Sequence, residues 1–298
     1  TNFDEQISKY FVNSENGLIQ GAWDNAYNAI FKCNNVLYQL ENTPVELSEY
    51  KLNKMRGQAI FVRSIIYFNL VRAFGAVPYV DKKVTHEEAY DYLRTEPVTI
   101  YENLIDDLNY CKSALPEVWE GDDVGRVTSY GAAAVLAKIY LRLDDEANAT
   151  TELEYIINSN RYSLDANEDG TVNTDDLSHI FGPNVKNCKS SILEAQYLAG
   201  ENVPNSGHQQ AYAPFHWAFH LPGQETAWRG GGKNTPTEDL INEFETDDPR
   251  LDISINYGYE DLESGVWVEY PYTTKFYHPN YQNPGQNFEV IRYADILL

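Results

Sequence analysis

The 298-residue sequence lacks the marks of a disulfide-rich domain, a zinc site or a membrane-spanning chain. Its three cysteines, Cys33, Cys111 and Cys188, lie far apart and form no CxxC pair. Their number and spacing exclude a disulfide framework and a cysteine zinc site. No run of 18 apolar residues occurs, so no transmembrane helix is predicted. The GxSxG and HExxH motifs are also missing, so the sequence carries no signature of a serine hydrolase or a zinc protease.

Positive charge is scarce in this sequence. Lys and Arg together number 22 against 45 Asp and Glu, which gives a formal net charge of −23 at pH 7. Such an excess repels the phosphates of nucleic acids and anionic lipids. We therefore expect no nucleic-acid partner and no polybasic membrane anchor, whereas calcium and neutral ligands remain compatible with the charge.

Aromatic residues are abundant, with 23 Tyr, 12 Phe and 5 Trp. Flat rings of this kind cover the apolar face of a sugar, and they also build ordinary cores. The hydrophobic fraction of 43% and the charged fraction of 22% are typical of a folded chain with a sizeable core.

The first 160 residues carry helical periodicity, with apolar side chains three and four positions apart. Helices are predicted at residues 18–42, 48–74, 97–114, 128–143 and 147–160. Ser48 is a predicted N-cap, and Gly75 is a predicted C-terminal stop. The spacing of Leu136, Ala137, Tyr140 and Ala149 fits a tetratricopeptide unit. An ordinary helical hairpin is the alternative, and one clean copy does not distinguish the two.

The sequence changes character after residue 160. Residues 161–235 are rich in Gly, Asn, Pro and aromatics and predict a loop-rich insertion, the kind of long irregular stretch that usually carries function. Beyond it, we predict a short helix at 236–246, a strand at 263–277 and the start of a helix at 290–298. The expected organisation is one domain, 1–298, with a helical scaffold at 1–160, the insertion at 161–235 and a mixed region at 236–298.

Residues 165–176 follow the pattern of an EF-hand calcium loop. Gly170 stands at the sixth position, where a sharp turn is needed, and Val172 at the eighth is expected to pack. The predicted ligands of a structural Ca²⁺ are Asp165, Asn167, Asp169, the carbonyl of Thr171, Asn173 and Asp176. An Asx-rich turn that binds no metal is the alternative. Adjacent acidic residues such as Asp106 and Asp107 diverge on a helix, so we expect them to be solvated.

Several segments together resemble the signature of the SusD/RagB family. The strongest of them runs from Arg56 through Arg63 and Tyr67 to Pro78. The other segments, in the family's order, are Trp23-Tyr27-Ile30-Asn34, the alanine-rich stretch 126–141, the T…F…DPR element at 237–250, Lys275-Phe276 and the RYADILL stretch at 292–298. Residues 163–182, with the calcium loop, look like a local addition.

The resemblance implies an all-α, tetratricopeptide-like scaffold with a loop-rich, glycan-facing region and minor β structure. Members of this family are outer-membrane lipoproteins of polysaccharide utilisation that bind glycans or other nutrients at the cell surface. They deliver the ligand to a TonB-dependent SusC-like transporter and are not enzymes. No lipobox cysteine stands at the start of the sequence, so lipid anchoring is expected of the full-length protein only.

By the same resemblance, two loops are expected to supply the ligand-binding residues. The candidates are Tyr10 and Asn13 in the first loop, and Tyr212, Trp217, Trp228, Arg229 and Asn234 in the second. Stacked rings and polar edges would hold a neutral oligosaccharide, although core packing is an equal alternative for Trp217 and Trp228. The other functions left open are a protein-interaction scaffold without a small ligand and a surface glycoside hydrolase. We expect Arg56, Arg63 and Arg72 to be structural.

Overall fold

The computed structural model describes residues 3–44, 46–214, 230–261, 264–276 and 283–298. Contacts within the chain divide it into two compact units, Thr1–Asn160 and Arg161–Leu298. None of the described helices combines the length and the hydropathy that crossing a bilayer requires.

The first unit is helical. Its helices are α1 (Phe3–Ser8), α2 (Gly17–Asn42), α3 (Glu49–Phe74), α4 (His86–Ala89), α5 (Pro97–Ala114), α6 (Ser129–Arg142) and α7 (Glu146–Ile157). A short antiparallel pair, β1 (Val77–Pro78) with β2 (Arg94–Thr95), lies between α3 and α5 in the chain. The long helices pack in chain order, α2 on α3, α3 on α5, α5 on α6 and α6 on α7. This succession of neighbouring antiparallel helices is the arrangement of a helical-repeat scaffold.

Local sequence signals define the ends of these helices. The side chain of Ser48 accepts a hydrogen bond from the Lys51 amide, as an N-cap does. Gly75 ends α3 with a φ of 70°, a positive value that costs glycine little. In α6, the small side chains of Ala132, Ala133 and Ala137 are buried and allow close approach of α5 and α7. The N-cap predicted at Ser48 and the C-terminal stop predicted at Gly75 are both confirmed.

The extended segment 77–82 is held by side chains from the long helices. The Tyr27 hydroxyl donates to the Pro78 carbonyl at 2.8 Å. The Tyr67 hydroxyl accepts from the Val80 amide at 2.7 Å and donates to the Val80 carbonyl at 3.2 Å. Asn34 donates to the carbonyls of Val80 and Lys82 at 2.8 and 3.0 Å. The segment therefore meets its hydrogen-bonding needs mainly with side chains, where a sheet would use backbone.

The expectation that Asp107 is solvated is wrong. Its carboxylate lies 2.7 Å from the Arg63 guanidinium, and the side chain is largely buried. The two residues are 44 positions apart, so the helical pattern around Asp107 carried no sign of this partner. Arg63 itself is buried, in agreement with the structural role expected of it.

The second unit mixes short helices with paired strands. Its helices are α8 (Thr174–Ile180), α9 (His208–Tyr212), α10 (Glu238–Asn242), α11 (Pro249–Ser254) and α12 (Tyr293–Leu297). Strand β3 (Ser191–Ala195) pairs antiparallel with β6 (Phe288–Arg292), and β4 (Ile255–Glu260) pairs with β5 (Trp267–Thr273). Because helices predominate and the strands form only short pairs in the described residues, the predicted fold class, all-α with minor β, is confirmed.

Three local predictions for this unit need correction. Residues 290–292 belong to β6, and helix begins only at Tyr293. The helix predicted at 236–246 covers only Glu238–Asn242 and is capped by Thr237. The segment predicted as irregular contains α8, β3 and α9. Strand β3 was missed because its partner lies almost a hundred residues later, and pairing with a distant strand leaves little local trace.

Candidate ligand-binding site

Five rings of the second unit form an aromatic cluster. The imidazole of His208 stacks on Phe288 and Phe276, with ring centroids 4.8 and 5.1 Å apart. Tyr212 lies 5.2 Å from Phe276, and Tyr197 meets His208 edge-on at 5.9 Å. Burial lowers the pKa of His208. The imidazole is therefore neutral at neutral pH and behaves as another flat ring of the cluster.

Buried amide side chains fix the segments that carry these rings. Gln286 donates from Nε2 to the Phe181 carbonyl at 2.8 Å and to the Lys275 carbonyl at 3.1 Å. Asn287 accepts from the Tyr197 amide at 2.9 Å and donates to Glu194 at 2.6 Å. Satisfied buried amides of this kind hold a unique arrangement. The loops on either side of the cluster are thereby positioned by hydrogen bonds as well as by packing.

Beside the cluster lies a cavity of about 500 Å³, here called the aromatic cavity. Phe181, Tyr212, Tyr272 and Phe276 contribute rings to its wall, and Asn256 contributes an amide. A volume of this size is within the range of small-ligand sites. Flat rings beside hydrogen-bonding groups can bind the apolar face of a pyranose and its hydroxyls together.

A second cavity of about 540 Å³, the cationic cavity, shares Phe181 and Lys275 with the first. Arg250 and Arg292 add two further positive charges to its wall. Burial lowers the pKa of Lys275, and repulsion from the two arginines adds to the effect.

The EF-hand-like loop is closed by hydrogen bonds to its own amides. Asp165 accepts from the amides of Asp169 and Gly170 at 3.1 and 3.0 Å. Asp176, only 2% exposed, accepts from Ala166, Asn167 and Asn173 at 2.6, 3.2 and 2.8 Å. These amides, that of Asn173 above all, lower the pKa of Asp176. Val172 is 64% exposed, so the packing expected of it is wrong.

The donors of this loop fit calcium chemistry in kind and order, since they are hard oxygens at EF-hand spacing. The carboxylate of Asp176, however, is engaged by three amides, and no group of three carboxylate, imidazole or thiolate side chains in the described residues is arranged to hold a metal. Calcium binding by Asp165, Asn167, Asp169, Thr171, Asn173 and Asp176 therefore stays a prediction.

One pair of carboxylates, Glu194 and Glu289, bears on the hydrolase alternative. They lie opposite each other on β3 and β6. Burial raises the pKa of Glu289 to about 7, and the charge of Glu194 adds to the effect. Glu194 is buried and accepts from the Asn187 amide and the Asn287 side chain at 2.9 and 2.6 Å. A glycosidase needs two carboxyl groups open to the scissile bond, and Glu194 does not meet that need.

The sequence model of a SusD-like family, described as starch-binding and associating with the outer membrane, matches residues 2–141. SusD-like protein P2 of Formosa agariphila is 25% identical over 315 residues, which cover 99% of this chain and 60% of that protein. The resemblance to the SusD-like family is confirmed. The chain spans about three fifths of the length of this curated relative.

Solved structures show the same fold. A SusD superfamily protein from Parabacteroides distasonis matches with a TM-score of 0.80 at 22% identity, over 98% of this chain and 64% of that one. A laminarin-binding SusD-like protein matches with a TM-score of 0.76 at 23% identity, over 92% and 64%. The tetratricopeptide-like helical fold that the resemblance implied is confirmed.

The structure brings two of the predicted ligand residues near each other. Tyr212 lines the aromatic cavity. Asn234 lines an adjoining cavity of about 470 Å³ that also reaches Lys275 and Phe276. Tyr10, in the first unit, is 95% exposed, and the Asn13 side chain accepts from the Glu15 amide. Trp217, Trp228 and Arg229 lie outside the described residues.

Sequence reasoning missed Tyr272, Asn256 and Phe276 as cavity residues of this chain. Tyr272 and Phe276 both belonged to a predicted strand, and Phe276 also served as a mark of the SusD/RagB family. The signal that could have found them is the concentration of tyrosine and phenylalanine between residues 270 and 276.

Proposed function

We propose that this protein binds an oligosaccharide at the bacterial cell surface and delivers it to a TonB-dependent SusC-like transporter without cleaving it. The observation that carries the proposal is the aromatic cavity, in which Tyr212, Tyr272 and Phe276 lie beside the amide of Asn256. Rings bind the apolar faces of pyranoses at little entropic cost, and a nearby amide can pair with the hydroxyls.

The relatives support the same function. The matching family description names starch and the outer membrane, and one similar structure is a laminarin-binding SusD-like protein. Transfer to a transporter and a lipid anchor on the full-length protein follow from the family resemblance and belong to the proposal. The glycoside-hydrolase alternative is less well supported, because Glu194 is buried and already hydrogen-bonded.

Affinity electrophoresis against a polysaccharide panel, followed by calorimetry with the best oligosaccharide, tests the proposal. Tyr212→Ala should weaken binding by roughly 1–3 kcal/mol, the cost of losing one aromatic anchor. Tyr90→Ala is the matched control, because Tyr90 is an exposed tyrosine of the first unit and should bind as the unaltered protein does. Both variants are first compared by circular dichroism for an intact fold.

Two results would count against the proposal. One is an absence of binding across the whole panel, and the other is equal affinity of Tyr212→Ala, Tyr272→Ala and the unaltered protein for the best ligand. Release of reducing ends from the bound oligosaccharide would overturn the non-catalytic part alone.

A further inference from the structure

Two basic side chains flank one aromatic ring in the second unit. Lys275 Nζ lies 5.0 Å from the ring centroid of Phe181, and Arg292 Cζ lies 5.4 Å from it. Both distances are within the range of cation–π contact. Lys275 follows β5 and Arg292 ends β6, so the strand pairs and the Gln286 amide fix both side chains near the ring.

Neither of these cations forms an ion pair in the described part of the chain, where no carboxylate oxygen lies within 4.0 Å of either charge. Arg250, the third cation of the cationic cavity, is committed to Asp248, with hydrogen bonds of 2.9 and 3.0 Å. Glu243 and Glu245 also line the cavity. Glu245 attracts Arg250, and Glu289 on β6 attracts Arg292.

This arrangement is unexpected in a chain of net charge −23. Asp and Glu outnumber Lys and Arg about two to one, yet two half-buried cations lie without a bonded carboxylate in the described residues. Partial burial of an unpaired charge is unfavourable, and the lowered pKa of Lys275 is consistent with this cost. A bound anion would offset it.

The position of Lys275 relates this charge to the aromatic cavity. Lys275 and Phe181 line both cavities, so the cationic group lies at the border of the space walled by Tyr212 and Tyr272. The substituents of a sugar ring bound in the aromatic cavity would lie at that border. Among the hydroxyl, acetamido and carboxylate substituents of a pyranose, only the carboxylate carries the negative charge that forms charge-assisted hydrogen bonds with two cations.

We propose that the ligand is an acidic oligosaccharide and that Lys275 and Arg292 bind the carboxylate of one uronic acid residue. This inference rests on the proposed glycan-binding function and names the ligand class for the same site. The expectation of a neutral ligand comes from the net charge, which describes the average electrostatic field around the protein. A carboxylate at this border interacts mainly with the two cations nearest to it, because more distant charges are screened.

Calorimetry with matched acidic and neutral trisaccharides tests the inference. The acidic probes are the trimers of galacturonate, mannuronate and glucuronate, and the neutral probes are maltotriose and laminaritriose. At least one acidic trimer should bind the unaltered protein more tightly than both neutral probes. Lys275→Gln should weaken that binding by about tenfold or more, the scale of a charge-assisted hydrogen bond, and Lys275→Arg should restore most of it.

The control variant is Lys189→Gln, which removes the same charge from an exposed lysine outside both cavities and should leave the affinity unchanged. Arg292→Gln serves as the second test of the cation pair, after its melting temperature has been compared with that of the unaltered protein. Raising the salt concentration should weaken binding of the acidic trimer in the unaltered protein more than in Lys275→Gln.

Three outcomes would overturn the inference. If a neutral probe binds and no acidic trimer does, or if Lys275→Gln binds the acidic trimer unchanged, the acidic ligand is wrong while the glycan-binding function stands. If sodium sulfate alone displaces the acidic trimer at equal concentration, the cations form a simple anion site and the uronic acid assignment is wrong. If no sugar of either set binds, the inference and the function on which it rests both fail.

Discussion

Arg63 donates a hydrogen bond from Nη1 to Oδ1 of Asn34 at 2.9 Å and thereby joins α3 to α2. Its Nη2 donates to the carboxylate of Asp107 on α5 at 2.7 Å, and Nη1 also donates to the Asp81 carbonyl. One buried guanidinium therefore ties three helices to the extended segment 77–82. At these positions, the side chains by which the sequence resembles the SusD/RagB family are the ones that hold segment 77–82 in place.

The first prediction concerns Arg63. Replacement by alanine should lower the free energy of unfolding by about 3–5 kcal/mol, because it leaves Asp107 largely buried without its partner. Urea denaturation followed by circular dichroism measures the change. The control is Arg72→Ala on the same helix, where an exposed arginine lies 5.1 Å from the Phe68 ring and should contribute about 1 kcal/mol or less. Equal stability of Arg63→Ala and Arg72→Ala would contradict the structural role.

The second prediction isolates one hydroxyl of the same region. Tyr67 is fully buried, and its hydroxyl bonds both the amide and the carbonyl of Val80. Tyr67→Phe keeps the ring but leaves the Val80 amide unpaired and removes one of the two hydrogen bonds that the Val80 carbonyl accepts, the other coming from Asn34, so the free energy of unfolding should fall by about 1–3 kcal/mol. Tyr38→Phe, on an exposed side chain of α2, makes the same chemical change and should have almost no effect. Denaturation midpoints that do not separate the two variants would disprove this account of segment 77–82.

The features that could be read from the sequence are those that depend on near neighbours. Ser48 and Gly75 end a helix through contacts within a few residues, so their roles were visible in the pattern. The partner of Asp107 and the strand partner of Phe288–Arg292 are distant in sequence, and no local periodicity reports them. Long-range pairing and burial override local preference at these positions.

The residues of the candidate site also include some that could be predicted from the sequence and others that could not. Tyr212 was predicted as a ligand residue because the family resemblance assigned ligand binding to the loop-rich insertion that contains it, and the structure gives it a place in the cavity wall. Tyr272 and Lys275 become candidates only once β5 and the segment after it are folded against α9 and the loop at Phe181. A pattern of residues along the chain indicates which kinds of side chain are available, whereas folding decides which of them face one space.

The third prediction is a pH dependence caused by Glu289. Burial raises its pKa from the usual 4.5 to about 7 in the folded state. Between these two values the unfolded chain loses the proton and the folded one keeps it, so the free energy of unfolding falls as the pH rises through this window. Below pH 4.5 both states are protonated, and the unfavourable contribution disappears.

Glu289→Gln should therefore be more stable relative to the unaltered protein at pH 7 than at pH 4.5, by about 1–2 kcal/mol after allowance for solvent screening. Urea denaturation at the two pH values, without ligand, gives the difference. Glu201→Gln, an exposed glutamate of the same unit, is the control and should show no such change. A stability difference for Glu289→Gln that is the same at both pH values would rule out this titration.

The last prediction is that the loop 165–176 binds calcium. Calcium sites of extracellular modules have dissociation constants of about 10⁻⁴–10⁻³ M, so about 10 mM CaCl₂ should raise the free energy of unfolding by roughly 1–3 kcal/mol over EDTA. Asp165→Asn should abolish most of this increment. Asp176→Asn should also lower stability in EDTA, because the Asp176 carboxylate accepts from three loop amides. MgCl₂ at equal concentration controls for ionic strength, since Mg²⁺ fits such loops poorly. If the curves in CaCl₂ and EDTA coincide, the loop is an Asx-rich turn stabilised by its own hydrogen bonds.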